Sequence, residues 1–532
     1  MEYREYMVSV FLFSMFTFLP LLVKKGFIYI ASYKLSLFRW ISLVFLAVSA
    51  VFLCIEIIFT VREKKKIFNF SNISLADWFI IAYGLWNVVS YLFSGYRGYA
   101  FLGYDGWEMG LLTQGLMIFG YFLVSRWYNG NKYIWYVAAA VLVIESVLVI
   151  LNRTGNDPLS FYKDIDWFDW NHRNLLGTIG NINWLCGYMI CILPILMALY
   201  IYSEKMYLRI ILGISLYLSL AALMLQGSRS GLVALAALFC IMVFLFSDTW
   251  NHLARVLEMM FMICLFWSLM SVLRVDLIEP FDRDIIGRVY TPLWLIPTGV
   301  FAALLIAIFL MVKKHQKSAA KKTKQDILQS IGTVPIKGIV RKIILAVPIF
   351  LIAMGIVILV ICQFSDSFWA LFGSPSILRF NERWGSLRGF VWKETFAAFA
   401  HSGVKNWITG VGPDCFAYWF IDSGIDIPTE GFYQGAAYSN AHNEWLTALV
   451  NTGLIGLVAY IGIFAGAIRS YIKNTERSKE AAIGILVLTA YLSNQFFSFQ
   501  QVLVTPFLFL IMGMCENRMR ILRKETTESI GK

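Results

Sequence analysis

Apolar residues come in long unbroken runs along this chain, separated by short polar stretches, which is the pattern of helices that cross a bilayer. Strands of a membrane barrel would instead alternate in and out, so a barrel is excluded. Crossing about 30 Å of hydrocarbon takes roughly 17–25 helical residues. Runs of that length predict spans at 7–23, 38–60, 77–94, 109–125, 131–150, 183–201, 207–225, 229–247, 253–273, 292–313, 342–363, 443–470, 481–497 and 500–516. The polar break from Ser498 to Gln501 is short enough to be a kink in one helix. Met7 to Val23 is followed by Lys24 and Lys25 and has no small-residue cleavage site, so the first run reads as a retained helix. The expected fold class is an all-α polytopic membrane protein of about 12–14 transmembrane helices with a large extracytoplasmic loop. Its predicted divisions are membrane helices over 1–363, the large loop with an amphipathic helix over 364–442, C-terminal membrane helices over 443–516 and a basic cytoplasmic tail over 517–532.

Orientation follows from where the basic residues sit. Between 313 and 342 the chain carries Lys313, Lys314, Lys317, Lys321, Lys322, Lys324, Lys337, Arg341 and Lys342 against the single acid Asp326, so this loop is expected in the cytoplasm. Counting outward puts both termini inside and leaves 95–108, 151–182, 226–228, 274–291 and 364–442 outside. Only Lys24, Lys25 and Lys34 run against that assignment. The 364–442 stretch is far longer than a connection needs, which marks it as a functional insertion.

Composition agrees: 59% of the 532 residues are hydrophobic and 15% charged. The net charge of +12 is accounted for by cytoplasmic loops facing anionic lipid, so nucleic acid is not an expected partner. The eight cysteines have neither disulfide nor zinc spacing, and no Walker-type glycine loop is present for a nucleotide.

The chemistry-bearing residues fall on the outer side. Thr409 to Leu457 is a long polar stretch with one histidine, His442, set just before a membrane helix. His252 and His315 are cytoplasmic, which leaves His172, His401 and His442 as possible outer bases. His442 precedes Asn443 and Glu444 at the membrane edge, where partial burial tunes an imidazole already close to neutrality. No outer pair of histidines or carboxylates has metal-ligand spacing, so no metal and no cofactor is expected. In LRGFVWKETFAAF, Arg388 heads a stripe with Trp392, Phe396 and Phe399, as in a helix lying at the interface. Arg388 there either snorkels to lipid headgroups or binds an anion. Arg229 in LQGSRSGLVAL sits among small residues at the mouth of a helix, where its planar donors suit either a phosphate or headgroups. In GTIGNINWLCGY, Asn181 and Asn183 are helix caps or amides offered to a sugar.

Four segments in order, GTIGNINW, LQGSRSG, LRGFVWKE followed by NWITGVGPDCF, and AHNEWLTALVNTGLIGL, resemble the O-antigen ligase and O-antigen polymerase superfamily of bacterial membrane glycosyltransferases. The resemblance extends over about residues 77 to 516, with a departure at Ile182, where many members have proline. It implies a GT-C-like membrane enzyme without metal that moves a glycan from undecaprenyl diphosphate to an acceptor hydroxyl on the outer face of the cytoplasmic membrane. By segment, Arg229 and Arg388 look like the diphosphate-binding arginines, with Arg383 the alternative to Arg388, and His442 looks like the general base. Asn181, Asn183, Asn443, Glu444 and Trp392 are secondary substrate-binding candidates.

With no nucleotide site, the energy for such a transfer has to come from the donor, whose diphosphate is the leaving group. Attack opposite it predicts inversion at the anomeric carbon. The partners are then the undecaprenyl-diphosphate-linked glycan, the bilayer, and a glycan, lipid or protein acceptor, giving a ligase, a polymerase or a protein O-glycosyltransferase. A transporter or flippase of lipid-linked sugars is the rival from another class. It would carry several coupled charges mid-membrane and a repeated half, whereas the acids within the spans here are mainly Glu56 and Glu145.

Overall fold

The computed structural model describes residues 2–62, 73–106, 108–163, 174–273, 292–320, 334–372, 378–425 and 438–530. His172, the 274–291 loop, and Lys321, Lys322, Lys324 and Asp326 of the basic loop lie outside the described residues. The described residues are mainly helical: α1 (Glu2–Leu21), α2 (Ile30–Arg62), α3 (Leu75–Phe93), α4 (Arg97–Ala100), α5 (Leu111–Trp127), α6 (Tyr133–Arg153), α7 (Ile182–Ile201), α8 (Met206–Leu225), α9 (Ser230–Phe246) and α10 (Trp250–Leu273). There follow α11 (Leu295–Ala320), α12 (Gly338–Phe364), α13 (Asp366–Leu371), α14 (Trp384–Ala400), α15 (Gly403–Thr409), α16 (Phe416–Asp422), α17 (Glu444–Ile472), α18 (Lys479–Asn494) and α19 (Thr505–Ile530). Among the described residues the strands amount to one two-residue pairing, Leu175–Leu176 with Gly180–Asn181.

This is an all-α polytopic membrane protein. Among the described residues ten helices are long and apolar enough to cross a bilayer, and α9 is a shorter apolar one. Each predicted span coincides with a helix, including the least regular pair: α18 ends at Asn494 and α19 begins at Thr505, so the break between them is a true turn. Residues 517–530 continue α19 as helix.

The chain packs as two compact units, one formed by Met1–Val137 with Val357–Lys532 and the other by Ala138–Ile356. In the first, α17 lies along α3, α19 along α5, and α18 packs on both α17 and α19. Ser74 starts α3 with a reciprocal cap, accepting from the Asp77 N–H while Asp77 accepts from the Ser74 N–H. The same buried Asp77 carboxylate takes Tyr121 and Arg126 from α5, each at 2.8 Å. Three partners compensate a charge that would otherwise be costly inside a bundle. In the second unit α7 is buried along almost its whole length, and α8, α9 and α10 pack on it.

Within the 364–442 stretch, α14 and α16 pack together on α17. Phe390, Val391 and Phe399 of α14 bury with Phe416, Trp419 and Phe420 of α16 against Leu449 and Val450 of α17. This corrects the stripe expected for α14: Phe399 is buried, whereas Phe396 is 57% exposed. The helix turns Phe390, Val391 and Thr395 inward instead, because Phe390 and Val391 pack with α16 and α17.

Candidate functional site

The site of the first unit is built on a broken helix. Inside α17, Gly453 takes φ 67 and ψ −175, in the left-handed half of the map where a side chain would be strained. A Cβ there would also run into the Ile408 carbonyl and the Gly410 nitrogen. The break frees carbonyls on the preceding turn, and buried carbonyls need donors. Val411 N donates to Val450 O at 2.9 Å and Gly412 N to Asn451 O at 3.0 Å, so the GVGP segment lies against the open turn. From α3, Trp86 Nε1 donates to Thr452 O at 2.9 Å, Ser90 Oγ to Asn451 O at 2.8 Å, and Ser94 Oγ to Val411 O. Trp86, Ser90 and Ser94 are four residues apart, one face of one helix.

At the head of α17, Asn443 caps the helix by accepting from Leu446 N at 3.0 Å. One residue earlier His442 has φ 47, a conformation that non-glycine residues adopt only when held. Three bonds hold it. Asn440 Oδ1 accepts its N–H at 2.8 Å, Thr447 Oγ1 accepts the Ala441 N–H at 3.2 Å, and Trp392 Nε1 donates to Ala441 O at 2.9 Å. The half-buried imidazole meets the edge of Phe499, ring centroids 5.4 Å apart, and neither ring nitrogen bonds to a described residue. Burial, with the Arg388 guanidinium adding to it, pushes the ring down to about 3, so it stands neutral.

Arg388 donates to Gly385 O at 2.6 Å and to Phe497 O at 3.1 Å, while its buried Nε finds no acceptor among the described residues. Burial lowers it to about 10, which leaves it charged at neutral pH. Arg383 is exposed at the start of α14. Of the two arginines, Arg388 is therefore the one beside His442. His401 is the exposed C-cap of α14, its Nδ1 2.8 Å from Ala397 O. Glu444 turns away from His442: its carboxylate takes the hydroxyls of Tyr460 and Tyr491, and its N–H donates to Gln495 O at 3.0 Å.

The second unit brings two of the quoted motifs together. Asn181 caps α7 by accepting from Asn183 N at 2.8 Å, and Asn183 Oδ1 accepts from Ser228 Oγ at 3.0 Å. Gln226 folds over the turn, accepting from Ser228 N at 2.8 Å and donating to Ser228 O at 2.7 Å. Beneath it, buried Arg153 donates to Leu225 O and Gln226 O, both at 2.8 Å, and satisfies the end of α8. Glu145 accepts from the N–H and hydroxyl of Thr178. On this fixed turn Arg229 is exposed at the N-terminus of α9, where the helix dipole and a guanidinium both favour an anion.

Sequence reasoning passed over Trp86, Ser90, Ser94 and Asp414. The polar residues of α3, Asn87 included, recur at helical spacing within an apolar span, a signal that a buried polar face exists. Among the described residues no group of three or more His, Cys, Asp or Glu is gathered as a metal site.

Comparison with the curated proteins finds no match. Residues 296–461 match the family model described as O-Antigen ligase. That stretch contains Arg388, the GVGP turn, His442 and the broken helix that joins them. The family is one of glycosyltransferase-type enzymes with lipid-linked glycan and acceptor partners. Over residues 296–461 the chain is thus similar to the O-antigen ligase family, which supports the resemblance to the O-antigen ligase and polymerase superfamily.

Proposed function

We propose that the protein transfers a glycan from undecaprenyl diphosphate to an acceptor hydroxyl at the outer face of the bacterial cytoplasmic membrane, with inversion and without a metal. The observation that carries this reading is His442: an imidazole free of hydrogen bonds to described residues, locked in a left-handed backbone, with Arg388 near enough to act on its charge. In the step proposed, the acceptor oxygen bonds to the anomeric carbon as the bond from that carbon to the diphosphate oxygen breaks. The diphosphate leaves with the electron pair, and the hydroxyl proton passes to a His442 ring nitrogen. General-base help of this kind contributes roughly 10²–10⁴ in rate. Arg388 stabilises the charge growing on the diphosphate, such a donor contributing on the order of 2.7–4 kcal/mol in a dry site, and Arg229 is the anion-binding candidate of the second unit. The O-antigen ligase match and the positive-inside count, which assigns all three residues to the outer side, support the same reading.

The test is incubation of the purified full chain, in vesicles, with undecaprenyl-diphosphate glycan and separate glycan, lipid and polypeptide acceptors, with and without EDTA. Labelling of at least one acceptor that EDTA leaves intact is the expected result. Absence of transfer to every acceptor overturns the reading, and loss restored only by a divalent ion overturns the metal-free step.

A further inference from the structure

His442 and Arg388 share one neighbour in the first unit, the turn between α18 and α19. Arg388 donates to Phe497 O at 3.1 Å, and the His442 ring meets Phe499 edge-on. Phe497 also lies against Trp392, the residue whose indole holds Ala441 O. The turn is fastened by the first turn of α5, where Gln114 Nε2 donates to Gln500 Oε1 at 2.6 Å. The same nitrogen donates to Met109 O at 3.0 Å, and Gln114 Oε1 accepts from Tyr83 OH at 3.2 Å. Gln114 is 4% exposed, and a buried amide bonded at both ends is fixed in place.

Met109 belongs to the outer loop that joins α4 to α5, and its N–H runs to the other piece of the site. Asp414, which directly follows the GVGP turn, accepts at Oδ2 from Met109 N at 2.8 Å and from Tyr104 N at 2.9 Å. The loop is shaped to that carboxylate: Gly103 has φ 105, and a Cβ there would collide with the same oxygen. Gly110 N donates to Leu102 O at 3.1 Å and Leu112 N to Phe101 O at 3.0 Å, which closes the loop on itself. On its far side Arg39 of α2 pairs with Glu108 and donates to Leu102 O at 3.3 Å.

One loop therefore grips both the GVGP turn, which closes the break in α17, and the α18–α19 turn, which meets His442 and Arg388. No described residue of the loop, nor Gln114 or Asp414, bonds to His442 or Arg388, so its effect on them passes through the two turns. Resting on the transferase reading above, we infer that Gln114 and Asp414 are positioning residues, which set where His442 and Arg388 stand relative to the reacting hydroxyl and the diphosphate. A misplacement of about 1 Å, caused far from the chemistry, costs as much as about 10²-fold in rate. An ionised carboxylate holds two amides more tightly than a protonated one, so the grip is firmest with Asp414 charged.

The test measures steady-state transfer by the full chain in vesicles, with undecaprenyl-diphosphate glycan as donor and the acceptor that the wild type labels, and expresses kcat per donor-binding site. Gln114→Leu removes the buried amide. Gln500→Ala cuts the same bond from the half-buried turn, and Asp414→Asn keeps an oxygen for both loop amides without the charge. The expected result is kcat lower by about tenfold in Gln114→Leu and Gln500→Ala, with donor and acceptor KM within about twofold of wild type. Asp414→Asn is expected to lower kcat about threefold at pH values where Asp414 is charged, again with both KM values kept. Unchanged kcat in Gln500→Ala and Asp414→Asn, or raised KM with kcat intact, overturns the positioning role and leaves the transferase standing. No transfer to any acceptor by the wild type removes the transferase reading and the positioning role with it.

Discussion

At the scale of single residues, two groups near the head of α17 are shifted in opposite directions by burial. Burial and the Arg388 charge hold His442 down at about 3, so its ring is neutral at every ordinary pH and gives no acid limb above about pH 4. Burial raises Asp414 to about 7 against the pull of two backbone amides. The groups around it are Glu108, paired with Arg39, and Tyr104, Tyr418 and Cys415. A raised carboxyl is protonated below its pKa and charged above it. We therefore predict that kcat/KM for the acceptor rises through about pH 7, and that Asp414→Asn flattens this limb without creating one near pH 6.5, where free histidine titrates. A limb that persists in that variant would assign the titration to another group. His442 and Arg388 were legible in the sequence because a histidine and an arginine are scarce in an apolar chain. Asp414 was not, since its meaning comes from backbone amides more than three hundred positions away, at Tyr104 and Met109.

At the scale of elements, the informative object is the junction of α3, the GVGP turn and broken α17. Sequence alone quoted the TGVGP and NTGLIGL stretches as parts of one ordered set without saying why they travel together. The reason is geometric: Gly453 opens the helix, and the amides of Val411 and Gly412 take the carbonyls that the opening frees. Gly453→Ala places a side chain at φ 67 and against Ile408, so we predict a loss of roughly 1–3 kcal/mol or more and a lower thermal midpoint. The same substitution at Gly299 meets nothing within 4 Å and serves as the control. Equal stability in the two variants would mean that the break in α17 does not depend on glycine. The α14 stripe shows the converse limit of pattern reading. A period that fits Phe396 and Phe399 equally cannot say which neighbour the helix will meet, and packing within the insertion buried one and exposed the other.

At the scale of the whole molecule, the spans were readable because continuous apolar runs leave a membrane chain little choice but helix. What required coordinates was the company each polar residue keeps: Asn183 with Ser228, Trp392 with Ala441, Glu444 with two tyrosines. Asn181 and Asn443, both weighed as sugar ligands, direct their side-chain oxygens to helix caps. The central claim is that His442 takes the acceptor proton. It is tested most directly by measuring glycan transfer and lipid-linked donor binding side by side for wild type and His442→Ala in the same vesicles. The account predicts donor binding within about twofold of wild type and transfer lower by roughly 10²–10⁴. Transfer at the wild-type rate by His442→Ala would contradict it.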